Sequence, residues 1–140
     1  MSLESDRRLA LRNALKSRVL CLDGATGTAL QDLNLTAEDF GGPELEGCNE
    51  NLVLTRPEVI SQVHERYLKA GADIIETNSF GSAAVVLDEY DLAKKADEIT
   101  FESARLARIE ADAMSTDAKP RWVAGSMGPT TKAISVTGGI

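Results

Sequence analysis

Apolar and polar positions change their period several times along the chain, and each change marks an element. Over residues 3–16, LESDRRLALRNALK, Leu9, Leu11 and Leu15 stand among charges, a spacing that predicts an amphipathic helix. Residues 18–22, RVLCL, form a short β-rich apolar run that stops at Asp23-Gly24. The run is too short for a helix and suits a buried strand. Cys21 falls inside it and reads as a small core residue. Residues 24–54 are irregular and rich in Gly, Asn, Asp and Glu, with room for a brief helix over 28–33.

The next helix carries more signals. Thr55 and Glu58 have the spacing of a capping box, Pro57 fits the first turn, and Leu54 and Val59 are placed as a hydrophobic staple. Val59, Ile60, Val63, Tyr67 and Leu68 supply an apolar face, and Gly71 is a left-handed stop. His64, the sole histidine, lies beside that face and reads as a surface or half-buried helical residue. Residues 73–77, DIIET, predict a second strand, and 78–81, NSFG, a loop. A short helix is expected over 82–89 and a longer one over 92–114. Along the latter Leu92, Ala96, Ile99, Ser103, Leu106 and Ala107 recur at helical spacing. Several of these are small, which lets a helix lie close on a sheet. After the Lys119-Pro120 breaker, residues 122–125, WVAG, predict a third strand with Trp122 as a packing residue, and 126–140 a loop.

Strands alternating with helices predict an α/β fold of parallel units. Each strand ends in a polar or Gly-rich turn: Asp23-Gly24, Glu76-Thr77-Asn78, and Gly125-Ser126 with Gly128-Pro129. In a β/α barrel the ligand face lies at the C-terminal ends of the strands, so acids and glycines at all three ends are what a site there needs. The same residues also serve ordinary turns and helix caps, and pattern alone leaves both readings open.

Composition narrows the classes. A chain of 140 residues with 43% hydrophobic and 26% charged residues has the make-up of one soluble globular domain. A formal net charge of −7 argues against a nucleic-acid or anionic-membrane surface. The opening MSLESDRR lacks the apolar segment of a secretory signal, and no apolar run nears the ~20 residues of a membrane span. With no sign of export, Cys21 and Cys48 are expected as thiols in a reducing, cytoplasmic setting.

Taken in order, LDGATGT at 22–28, GCNENL at 47–52, RPEVI at 56–60, KAGADIIETNSF at 69–80 and VAGSMGP at 123–129 carry a resemblance. From about residue 9 onward the chain resembles the N-terminal segment of the homocysteine-binding domain of cobalamin-dependent methionine synthase. Betaine- and S-methylmethionine-dependent homocysteine methyltransferases share parts of the pattern. Each motif alone is weak, but five in this order are specific. The resemblance implies a (β/α)8 TIM-type barrel, of which residues 1–140 would be a truncated part: a helix over 1–17 and the first three β/α units over 18–140. It implies methyl transfer, with methylcobalamin as donor, to a homocysteine thiolate activated by zinc, yielding methionine. Zinc and cobalamin would belong to a longer parent protein, as would the remaining barrel and the cobalamin and folate modules.

A barrel of this kind takes roughly 250 residues. The family's three zinc cysteines come from later strands, and two cysteines cannot supply three thiolates. This chain is therefore expected to hold no metal and to be inactive alone. Cys48 has no Cys or His at metal-motif spacing and reads as structural.

In the family, acids near Asp23 and Glu76 surround the amino-acid end of homocysteine, and an ammonium held away from bulk water needs such counter-charge. The local alternatives are a cap on the following turn for Asp23 and an ion pair for Glu76. The loop Gly24, Ala25, Thr26 and Gly27 has backbone N–H groups able to meet a carboxylate, or is simply a tight turn. Its spacing is not that of a nucleotide-binding loop. Asn78 either contacts substrate or fixes its loop. Gly128 allows close backbone approach, and its place in the pocket wall rests on the resemblance. The competing readings are a betaine- or S-methylmethionine-type fragment and a non-catalytic partial-barrel binding module. The coding sequence beyond codon 140 separates the enzyme reading from the last.

Overall fold

The computed structural model describes residues 3–131, with side chains from residue 6 onward. The expected loop over 126–140 therefore lies mostly outside the described residues. The elements run α1 (Leu3–Ser17), α2 (Thr26–Gln31), α3 (Ala37–Phe40), α4 (Leu52–Thr55), α5 (Pro57–Ala70), β1 (Ile74–Glu76), α6 (Ala84–Leu87), α7 (Ala96–Ala113) and β2 (Trp122–Ala124), with short 3-10 turns between them. The fold is α/β with parallel strands: β1 pairs with β2, Ile74 opposite Trp122 and Glu76 opposite Ala124.

The strand expected over 18–22 is reduced to one parallel bridge, Leu22 with Ile74. Its ladder is cut at both ends by side chains. On one side the Cys21 N–H donates to Asp73 Oδ2 at 2.9 Å instead of to a backbone carbonyl. On the other, the Glu76 N–H that would continue the ladder is taken by Asp23 Oδ1 at 3.0 Å. Between these points the Ile74 N–H donates to Cys21 O and the Asp23 N–H to Ile74 O, so the path still runs parallel to β1. Cys21 is exposed on this path and is not the core residue expected, since the strand's free side has nothing packed over it among the described residues. Val19, at 86% exposure, shares its situation.

The helix after the irregular stretch also starts differently. Leu52–Thr55 is a helical turn of its own, and the Thr55 hydroxyl donates to Asn51 O at 3.3 Å rather than capping the next helix. Pro57 forces Arg56 out of the helical region (φ −140, ψ 58), which separates α4 from α5 and makes Arg56 the cap. Glu58 then pairs with Arg56. The capping box forms instead at Thr36, whose N–H donates to Asp39 Oδ2 at 2.7 Å. The far end of α5 is as expected: Gly71 is left-handed (φ 112), its N–H reaches Leu68 O and the Ala72 N–H reaches Tyr67 O.

Two apolar clusters hold these elements. The larger joins Leu30, Phe40, Leu52, Val53, Ile60, Val63, Leu87 and Ile99, so α2 to α7 share it. The smaller packs Leu68 of α5, Ile75 of β1 and Ala107 and Ala111 of α7. The two alanines have no exposed surface, and their size is what lets α7 lie against the sheet. His64 departs from expectation. It is 1% exposed, and neither ring nitrogen has a hydrogen-bond partner among the described residues. Its position one turn from both Ile60 and Leu68 turns it inward with them. Trp122 is buried and donates its indole N–H to Arg7 O at 3.3 Å, tying α1 to the start of β2. Leu9 and Leu15 of α1 remain exposed, so its apolar face is covered only in part. No helix among the described residues is long and apolar enough to cross a membrane.

Candidate functional site

The break in the first strand's ladder brings two acids together. Asp23 closes the first strand path and Glu76 closes β1, the neighbouring strand, and they are linked through Asp23 Oδ1 and the Glu76 N–H. Burial pushes the Asp23 carboxyl up to about 6; the hydrogen bond from Glu76 N–H opposes this and the Glu76 charge adds to it. A carboxylate whose charged form is made costly by desolvation and a like charge gains most from a bound cation, because a positive group relieves both causes at once. An ammonium of a small molecule is such a group.

Gly24 through Gly27 lead from this acid into α2. Ala25 is left-handed (φ 38, ψ 46), and Thr26 and Gly27 are in the first turn of α2, where backbone N–H groups have no intrahelical partner, close to Asp23 in the chain. A Cβ at Gly24 or Gly27 would meet nothing within 4 Å, so neither glycine is demanded by packing.

Asn78 is buried and held on both sides. Its side-chain amide donates to Asn49 O at 2.8 Å, and its backbone carbonyl accepts the Ser103 hydroxyl at 2.9 Å. These bonds fix the loop after β1 to α7 and to the 49–51 turn. Gly128 lies on the neighbouring loop. Its N–H donates to Phe80 O at 2.8 Å, and a Cβ there would come within 2.6 Å of the same oxygen. Of the residues singled out in the sequence, the structure therefore joins Asp23 and Glu76, has the 24–27 loop follow Asp23 in the chain, and places Asn78 and Gly128 in the packed loops after β1 and β2. A cavity of about 620 Å³ opens between those two loops and α7, bordered by Ser79, Phe80, Ala96, Thr100, Ser126 and Gly128. Gly128 borders it, whereas Asp23 and Glu76 do not.

Three residues that hold these loops carry no site signal of their own in the sequence. Glu50 accepts the Gly81 N–H at 2.8 Å, and Thr77 and Ser79 bond across to Ser126. Glu50 stands inside the GCNENL motif, which gives it no role of its own; the hydroxyls carry no spacing signal, because their partner is a backbone group far along the chain.

The described residues do not fit the zinc that the family resemblance implies. No group of three His, Cys, Asp or Glu side chains among them is placed to hold a metal ion. Cys48 is sealed in the larger core cluster, where burial pushes its thiol up, while Cys21 is exposed at the strand.

The parallel α/β fold agrees with comparison to known proteins. The family model for homocysteine S-methyltransferase matches residues 20–139, and the chain belongs to that family. The chain is 48% identical over 122 residues to the methionine synthase of Mycobacterium leprae, and 45% identical over 122 residues to that of Mycobacterium tuberculosis. Each match covers 87% of this chain, which spans 10% of the length of these relatives. Among solved structures it is similar to the metallated form of the Escherichia coli homocysteine methyltransferase MmuM, with a TM-score of 0.69 and 27% identity. That match covers 85% of this chain and 41% of the other; the oxidized form gives 0.70 and 28%, covering 85% and 40%.

Proposed function

We propose that this chain forms the first β/α units of a homocysteine S-methyltransferase barrel, and that it binds the amino-acid end of homocysteine for methyl transfer that yields methionine. The observation that carries the reading is the pairing of Asp23 and Glu76 on adjacent strand ends, with Asp23 held up to about 6. Asp23 and Glu76 receive the substrate ammonium. The N–H groups from Gly24 to Gly27 receive its carboxylate, as amides at a helix start suit an anion. The backbone at Gly128 bounds the pocket, and Asn78 holds the loop after β1 in place. Methylcobalamin is the donor this reading favours, given the likeness to methionine synthases. The thiol is activated by groups other than the described residues. The remaining barrel and the cobalamin and folate modules are partners of this segment in a longer protein. The reading carries a cytoplasmic location with it.

Titration of homocysteine into the intact protein, alongside a methionine-formation assay, tests this. Asp23→Asn keeps the acceptor for the Glu76 N–H and removes the charge. It is expected to weaken homocysteine binding by roughly tenfold or more, the value of one charge-assisted hydrogen bond. Unchanged affinity in both Asp23→Asn and Glu76→Gln would overturn the assignment of the ammonium site.

A further inference from the structure

Beyond the end of β1, two side-chain hydroxyls take over the task of a strand. The Thr77 N–H still donates to Ala124 O at 2.9 Å, the last regular bond of the sheet. The next backbone groups of the β2 path belong to Ser126, and side chains satisfy both of them. The Ser126 N–H donates to Thr77 Oγ1 at 2.9 Å, and Ser126 O accepts the Ser79 hydroxyl at 2.9 Å. Thr77 Oγ1 and Ser79 Oγ are 2.6 Å apart. Because the Ser79 proton is already given to Ser126 O, the proton between the two hydroxyls belongs to Thr77. The result is a closed ring in which Ser126 N–H, Thr77 O–H and Ser79 O–H each donate once, in one direction. Such a ring is cooperative, and opening it strands a backbone group of Ser126.

The ring is well enclosed: Thr77 and Ser79 are each 6% exposed. It is also anchored from behind, since Ser79 O accepts both the N–H and the hydroxyl of Ser82, and Thr100 of α7 donates to the Ser82 hydroxyl at 2.8 Å. Two residues past Ser126, the Gly128 N–H meets Phe80 O, so the loop after β2 is laid along the loop after β1 at two points.

We infer that Thr77 and Ser79 are positioning residues for substrate binding: their hydroxyl ring fixes the Gly125–Gly128 backbone against the loop that follows Glu76. This rests on the homocysteine reading for its kinetic consequence, while the ring itself can be judged separately. Two measurements on the intact protein decide it. The first is amide hydrogen exchange at Ser126, comparing wild type with Thr77→Val, which keeps the shape and removes the hydroxyl, and with Thr77→Ser, which keeps the hydroxyl. Exchange at Ser126 is expected to accelerate roughly tenfold or more in Thr77→Val and to stay near wild type in Thr77→Ser. The second is steady-state methionine formation. Thr77→Val and Ser79→Ala are each expected to raise KM for homocysteine roughly tenfold with a much smaller change in kcat, and Thr77→Ser to restore KM. The double variant is expected to cost little more than either single one, since one break opens the ring.

Unchanged exchange at Ser126 in Thr77→Val would overturn the ring. Faster exchange with unchanged KM would overturn the positioning role and leave the homocysteine reading standing. Failure of Thr77→Ser to restore either readout would assign the effect to packing of the side chain and overturn the proposal. A wild-type protein that binds no homocysteine would overturn the functional reading and the positioning role together, with the exchange result still deciding the ring.

Discussion

Replacing His64 by Leu should reverse the response of this fold to mild acid. Burial pushes the His64 imidazole down to about 4 from an ordinary 6.5, and no hydrogen-bond partner among the described residues offsets that cost. The unfolded chain therefore takes up this proton as pH falls below 6.5, and the folded chain does so only near 4. Stability from this site is complete above 6.5 and lost on acidification, by ~2 kcal/mol at pH 5. Asp23 works in the opposite sense. Its folded carboxyl, up at about 6 against an ordinary 3.8, takes its proton before the unfolded one does. Acidification from 7 to 5 therefore relieves a cost there, by ~1 kcal/mol once its half-exposed position is allowed for. In the wild type the Asp23 gain offsets about half of the His64 loss, leaving a net loss of ~1 kcal/mol. In His64→Leu only the Asp23 gain remains, so the variant should be more stable at pH 5 than at pH 7. It should also gain ~1–3 kcal/mol at pH 7, because two unpaired buried nitrogens are gone. Urea unfolding followed by the fluorescence of Trp122, the one tryptophan of the chain, reads this directly. If the difference in midpoint between His64→Leu and wild type is the same at pH 7 and pH 5, the reasoning is wrong.

Single contacts set three further expectations. Asp73→Asn loses the paired bonds from Arg18 at 2.7 and 2.9 Å and should cost ~1–3 kcal/mol in urea unfolding at pH 7. Because Arg18 holds the Asp73 carboxyl down to about 2 against an ordinary 3.8, this contribution is whole above about pH 4 and lost only as pH falls toward 2, so the variant and wild type should converge there. Gly128→Ala drives a methyl to within 2.6 Å of Phe80 O and should cost ~1–3 kcal/mol by thermal melting, with a raised KM for homocysteine. Ala107→Leu places a large side chain where α7 meets the sheet and should cost ~1–3 kcal/mol while leaving homocysteine affinity unchanged, as measured by titration calorimetry.

The parts of the fold that were legible in the sequence are those governed by local chemistry. Gly71 stops α5 because only a residue free to turn left-handed can close that helix, and alternation of IIE and WVA with helical stretches signals parallel pairing. What was not legible depends on partners distant in the chain. RVLCL has the composition of a strand, yet its ladder is interrupted by the carboxylates of Asp73 and of Asp23 itself. Thr55 and Glu58 have box spacing, but Pro57 sets the start of α5 and the turn before it absorbs Thr55. His64 gives no sign of burial, because an imidazole beside an apolar face reads alike whether or not something covers it. For the candidate site, the acids were visible as strand-end residues; their mutual contact, and the hydroxyl ring beside them, emerge only when three chain segments are laid side by side.

Asp73 is where those segments meet at the other end of the sheet. Its carboxylate takes Arg18 and the Cys21 N–H, its N–H donates to Cys21 O, and its carbonyl takes the Trp122 N–H. Cys21 lies 52 residues away in the chain, whereas the Gly71 stop before it is closed by bonds to Leu68 and Tyr67 of α5 itself. This sets an order of assembly: α5 with its turn should form early and present Asp73, and the closing of two long loops onto that one residue should come late. A substitution at Asp73 should thus speed unfolding more than it slows folding, while disruption of the Gly71 stop should slow folding itself.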